Sequence, residues 1–302
     1  MMKKPRNWLI LLLLISTAVI LAIAGLLIFD AARPLPPIQP LPNPNGYNDL
    51  VQAAEMTSTN SWNYEAMNEA QLRETVSANA EALSLARASL SNECRVPIQF
   101  SLPYLGRHLS ELASLKRLAQ AFMAEGKFAE KKGRFGDAAG SYLDLIRLGN
   151  DSARGGVLID ALVGLAIENM GVAGLQKITG RLDAKSCRET VAALETLDAQ
   201  RQSWNEVIQQ EDGWSRRTFT SLSYRIYRPL LSKMTRDAFQ KAERKFKEQQ
   251  LKTRQLLIGL AARAYELDKG HRPASLADLV PDYLKAIPQD PVTGTNLVYS
   301  PR

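Results

Sequence analysis

One uncharged run, beginning at Trp8 and ending at Phe29 (WLILLLLISTAVILAIAGLLIF), limits what this chain can fold into more than any other stretch. At about 1.5 Å of rise per residue, a helix of that length reaches about 33 Å, enough to cross the hydrocarbon core of a bilayer. Helix suits that setting because it satisfies its own backbone hydrogen bonds where water is absent. Lys3, Lys4 and Arg6 precede the run and Asp30 follows it, an asymmetry that keeps the N-terminus cytoplasmic and sends the rest across. A secretory signal would start the same way, and Ala22 and Ala24 offer a cleavage site before Gly25. The run continues through Leu26, Leu27, Ile28 and Phe29, however, well past the roughly 7 to 15 residues of a signal core. The expectation is an uncleaved single-pass anchor over residues 1–30.

Six prolines follow closely: Pro34, Pro36, Pro37, Pro40, Pro42 and Pro44. Such density excludes helix and sheet and predicts a linker over 31–46, either a semi-rigid polyproline II stalk or a plain spacer. The chain has 302 residues, so what lies beyond the linker is ample for a sizeable core. Abundant Ala and Leu with few aromatics point to helix.

The expected body, 47–270, is all-α, either a multi-helix bundle or a short α-solenoid. Leu50, Val51 and Ala54 share one helix face, and Met67, Leu72, Val76, Ala80, Leu83 and Leu90 share that of a second. Residues 94–105, with Pro97 and Pro103, read as a loop. A long helix is expected over 109–132, with Leu112, Leu115, Ala119, Phe122, Gly126 and Ala129 inward. Residues 157–178 are the most apolar segment outside the first run. Asp160 and Glu168 interrupt it, which predicts a central buried helix and not a second span, with Gly164, Gly171 and Gly174 at close helix contacts. Ser186 and Glu189 fit a capping box that opens a helix carrying Val191, Leu194, Leu197, Trp204, Val207 and Ile208. A charged helix over 235–268 should end at Gly270, in the left-handed conformation that glycine tolerates best.

Between Arg216 and Arg254 lie twelve basic residues against Asp237, Glu243 and Glu248. The local excess exceeds the net charge of the whole chain, +7, so the rest of the chain is nearly neutral. One reading is a surface for anionic lipid or an envelope polymer, formed by Arg216, Arg217, Arg225, Arg228, Lys241, Arg244, Lys245 and Lys247, with Tyr224, Tyr227 and Leu230 as interfacial contacts. The other is a long helix whose solvated face is basic. Nucleic acid would answer to the same charge but is not expected on the far side of a membrane.

Cys94 and Cys187 would both lie where disulfides persist. Pairing would close a loop of roughly 90 residues and contribute about 4 kcal/mol. Two separate buried thiols, or a thiolate at Cys187 activated by a helix N-terminus, are the alternatives. His108, beside Arg107 at an expected helix start, reads as a surface residue, and His271 as part of a turn. No HExxH, CxxC, nucleophile elbow or phosphate-binding glycine loop is present, so no catalytic, cofactor-binding or metal-ligating residue is assigned and no cofactor is expected.

Two stretches resemble known families. Gly126, Ala129, Gly133, Phe135, Ala138, Tyr142, Leu145 and Leu148 resemble one tetratricopeptide helix pair, which implies an antiparallel hairpin with an aromatic filling the groove beside small residues. The end of the chain (PASLADLVPDYLKAIPQDPVTGTNLVY) resembles the tail of type II secretion pseudopilins and of bacterial single-pass membrane-anchored helical proteins with the same ending. The matching positions are Pro273, Leu276, Leu279, Pro281, Tyr283, Leu284, Pro288, Asp290, Pro291, Gly294, Leu297 and Tyr299. The chain lacks the pseudopilins' Gly-Phe cleavage site and the glutamate of their apolar helix. The likeness therefore implies a small irregular packing module over 271–302 and no functional residue. Within it Ser275 should cap a short helix, Gly294 should supply a positive φ, and Leu279, Tyr283, Leu284 and Tyr299 should close onto the preceding helix.

The expected protein is a bacterial inner-membrane protein with an extracytoplasmic, periplasmic body, acting as a non-enzymatic scaffold or interaction module for an envelope protein partner. The alternatives are an accessory component of a secretion or pilus system, suggested by the tail, and a hydrolase using scattered carboxylates.

Overall fold

The computed structural model describes residues 6–58 and 63–298. Among them the chain is all-helical, and one isolated bridge between Gln289 and Asn296 stands in place of any sheet. Lys3, Lys4 and Tyr299 lie outside the described residues. The apolar run forms α1 (Arg6–Ala32), along which Leu11, Leu14, Ile15, Val19, Ile20, Leu21 and Ile28 are exposed.

Residues 33–45 are not the free stalk or spacer expected. Arg216 donates from its two terminal nitrogens to the Pro34 and Arg33 carbonyls at 3.1 and 2.6 Å, and Arg217 donates to the Pro36 carbonyl at 2.6 Å. Asn45 closes the strap by donating to the Arg95 carbonyl and accepting from the Arg95 amide, at 2.8 and 2.9 Å. A proline-rich chain offers carbonyls and few N–H groups, so the guanidinium, which only donates, is the fitting fastener. The strap binds the body directly to the end of α1.

The body runs α2 (Gly46–Glu55), α3 (Glu69–Ala78), α4 (Ala80–Ser89), α5 (Leu102–Lys131), α6 (Phe135–Asp151), α7 (Leu158–Ile178), α8 (Ala184–Ala199), α9 (Trp204–Thr218) and α10 (Leu222–Lys269). Several boundaries depart from the periodicity, each for a local reason. The expected second helix breaks at Asn79, whose side chain accepts from the Ser58 amide and donates to the Thr75 carbonyl. The loop expected over 94–105 is shortened because Ser101 caps α5 and Pro103 sits in its first turn, where a missing N–H is harmless. Asp183, not Ser186, caps α8 by accepting from the Ser186 amide. The helix expected to continue through Ile208 stops near residue 200, and Ser203 with Glu206 forms the capping box of α9. α10 starts at Leu222 on a Ser221 cap and ends, as predicted, at Gly270 with φ +78°.

α7 is long and apolar enough to cross a membrane by length and composition, but half of it is buried inside the fold. It is the core helix, packed by α5, α6, α9 and α10. Its contact with α6 is set by glycine: a Cβ on Gly149 would meet the Gly164 carbonyl oxygen at 2.5 Å, and one on Gly171 the Tyr142 carbonyl oxygen at 2.5 Å. α5 and α6 form a hairpin in which the fully buried Tyr142 ring takes the space left open at Gly126.

The tail forms a capping box of Ser275 and Asp278 on a short 3-10 turn, and Gly294 takes φ +72°. Leu276, Leu279 and Leu284 are buried, while Tyr283 meets Tyr265 edgewise at 5.4 Å and donates to Asp268 at 3.0 Å.

Cys94 and Cys187 are free, buried thiols and not a pair. Cys94 Sγ faces the Ser89 and Asn92 carbonyls, among the charges of Asp49, Asp151 and Arg154, whereas Cys187 lies among those of Arg263, Asp183 and Arg188. Burial pushes Cys94 up to about 12 and Cys187 up to about 11, so neither is a thiolate near neutrality. Cys187, four residues into α8, gains no activation from the helix end.

Candidate functional site

The first two amides of the α7 end are taken by carboxylates: Val157 N–H donates to Asp160 at 2.8 Å, and Leu158 N–H donates to Glu211 of α9 at 3.0 Å. Asp160 then reaches across to α5, where His108 Nε2 lies 2.5 Å from its Oδ1. The other ring nitrogen, Nδ1, is 3.0 Å from Glu111, and the Tyr104 ring stacks on the imidazole at 5.0 Å. His108 is thus not the surface residue expected; it is 1% exposed, because α5 starts early and turns this position toward α7. Burial opposes its charge, but the hydrogen bonds and charges of Asp160 and Glu111 outweigh burial and hold its pKa above the ordinary value. Both ring nitrogens are engaged by carboxylates, one on its own helix and one on α7, so the cluster clamps α5 to α7. The Tyr47 hydroxyl is buried near Glu111, and the Tyr104 hydroxyl is buried beside it without a hydrogen-bond partner among the described residues. Burial, reinforced by Asp160 and Glu111, raises both phenols above their usual range.

Glu168, two turns further along α7, does not share a site with Asp160. It receives the Arg201 guanidinium in a two-pronged contact and the Thr253 hydroxyl at 2.8 Å. Each acid that interrupts the apolar segment therefore has its own buried cation. Neither partner was visible in sequence, since His108 precedes Asp160 by 52 residues and Arg201 follows Glu168 by 33.

The basic block does not form one surface. Arg216 and Arg217 hold the strap, Arg217 also lying over the Phe100 ring at 5.2 Å. Arg228 pairs with Asp212 and Lys247 with Glu243. Arg225 is half-buried, and Lys241, Arg244 and Lys245 are exposed on α10.

Between α9 and the first half of α10 lies an open cleft of about 590 Å³. Trp204, Ile208, Leu231 and Phe239 give it apolar walls, and Glu211, Asp212, Arg228, Arg236 and Glu243 supply its charges. Trp204 leans on Phe246 at 5.9 Å, and the Ser215 and Tyr224 hydroxyls meet at 2.5 Å, which fixes the walls at both ends. Among the described residues no cluster of His, Cys, Asp or Glu could hold a metal ion.

No family model, curated protein or solved structure matches the chain. The cleft combines apolar walls with converging polar groups, the usual character of a ligand site. Tyr224 and Arg228 stand out in the sequence but the cleft does not, because the periodicity starts this helix at Thr235 and leaves residues 222–234 outside it.

Proposed function

We propose that this chain is a single-pass bacterial inner-membrane protein, N-terminus cytoplasmic, whose periplasmic helical body is a non-enzymatic scaffold or interaction module for an envelope partner. The observation that carries this reading is α1: a 27-residue helix on which Leu11, Leu14, Ile15, Val19, Ile20, Leu21 and Ile28 are exposed. Apolar surface of that extent needs a cover, and lipid is the cover its length suits. The strap of residues 33–45 supports a body held against its anchor and not swinging from it. His108 supports the non-enzymatic side, since both of its ring nitrogens are engaged by carboxylates.

The test is alkaline extraction of membranes combined with reporter fusions at the C-terminus. The chain should stay in the pellet and the reporter should be active only outside the cytoplasm. A chain released by alkaline carbonate, or a reporter active only inside, would overturn the reading. The tail, folded as a compact module on α10, favours a second reading as an accessory of a secretion or pilus system. Co-purification with a secretion ATPase or pilus subunits would be its signature.

A further inference from the structure

We propose that the cleft between α9 and α10 takes a long acyl chain of an anionic membrane lipid, with Arg236 at its rim recognising the headgroup. The proposal rests on the membrane reading above for the source of the lipid. The cleft volume of about 590 Å³ falls inside the range of roughly 300–1,000 Å³ found for small-molecule sites. Its apolar walls are left uncovered by protein: Trp204, Ile208 and Phe239 are half-buried, and Leu231 is 41% exposed.

Most of the charges around it are already engaged. Glu211 holds the Leu158 amide, Asp212 holds Arg228, and Glu243 holds Lys247. Arg236 is exposed at the rim and makes no hydrogen bond or ion pair among the described residues. A free guanidinium above an apolar slot suits an amphiphile with a negative head and an aliphatic tail.

Position names the source. Asp212, in the cleft wall, lies 3.8 Å from Arg33, the first residue beyond α1. Leu35 of the strap shares a neighbouring cavity of about 150 Å³ with Tyr224, Arg225 and Arg228. The Asp212 and Arg228 end of the cleft therefore stands at the level where α1 ends, which is the bilayer interface if α1 spans. On a neighbouring face of α10, Tyr227, Leu230 and Met234 recur at helical spacing and are 60%, 56% and 71% exposed. That stripe can bed in the interface and bring lipid tails to the opening.

The experiment uses the full chain in nanodiscs containing either an anionic or a zwitterionic glycerophospholipid with a photoactivatable acyl chain, followed by peptide mapping. Labelling should fall on α9 and on residues 228–243, with the anionic lipid preferred about fivefold, the factor one arginine near an anionic surface supplies. Thr235→Trp fills the cleft from an exposed position and should abolish that labelling. Arg236→Glu should keep the labelling and erase the headgroup preference. Labelling confined to α1, equal labelling of Thr235→Trp, or a protein seated in the cleft that lipid does not displace would each overturn the proposal. Alkaline extraction separates it from the reading it rests on. A chain embedded but unlabelled in the cleft defeats the lipid site alone, and a chain labelled in the cleft but released by carbonate defeats the anchor alone.

Discussion

His108 is held between Asp160 and Glu111 with Tyr104 across its face and Tyr47 and Glu211 close by, so its charge is part of how α5 meets α7. Its native pKa lies above the unfolded value of 6.5. The stability that protonated His108 contributes is therefore complete below pH 6.5 and is lost as pH rises through the raised native value. Urea unfolding of the full chain across pH 5 to 9 should show this loss, and His108→Gln should flatten it while lowering stability at the acid end. A variant with the same slope as the parent would remove the clamp from the account. Glu168 offers a second residue-scale test. Glu168→Gln leaves Arg201, whose side chain is 5% exposed, with only the more distant Asp198 at 3.6 Å. Removing one partner of a buried ion pair is expected to cost about 3 kcal/mol, measurable as a fall in the denaturation midpoint.

At the scale of elements, the strap and α10 work together, because α9 carries the two arginines that fasten residues 33–36 and α10 begins just after it. Arg217→Ala removes the bond to the Pro36 carbonyl and the contact over Phe100. Limited proteolysis should then cut within residues 33–45, which the parent protects, while the melting temperature of the body falls by only about 2–4 °C. A strap that stays protected would mean Arg216 and Asn45 suffice. The first half of α10 leaves Leu222, Tyr227, Leu230 and Met234 exposed. Its second half is the opposite, since Leu256, Leu257, Leu260 and Ala264 are buried in the main core.

For the whole molecule, the main core runs from Tyr47 through α7 to Leu284, and no described residue of α1, which meets the body at α10, belongs to it. A chain lacking residues 1–32 should therefore keep the helical signal of the body, while self-associating through the stripe of Tyr227, Leu230 and Met234. Sedimentation of that truncated chain, with and without serine at the three positions, checks this. A monomer in both cases would show that the stripe needs no cover.

The helical class, the buried character of α7, the stop at Gly270 and the turn at Gly294 are legible in local pattern, because each depends on neighbours a few residues away. Spacing showed which faces turn inward, and glycine marked where a backbone needs φ above zero or where helices touch. The burial of His108, the separate partners of Asp160 and Glu168, the strap formed by the prolines and the cleft beside α10 arise from long-range packing. Those facts depend on groups tens to nearly two hundred residues apart, as Arg216 and Arg33 are, and no local pattern encodes which distant side chain will be near enough to pair.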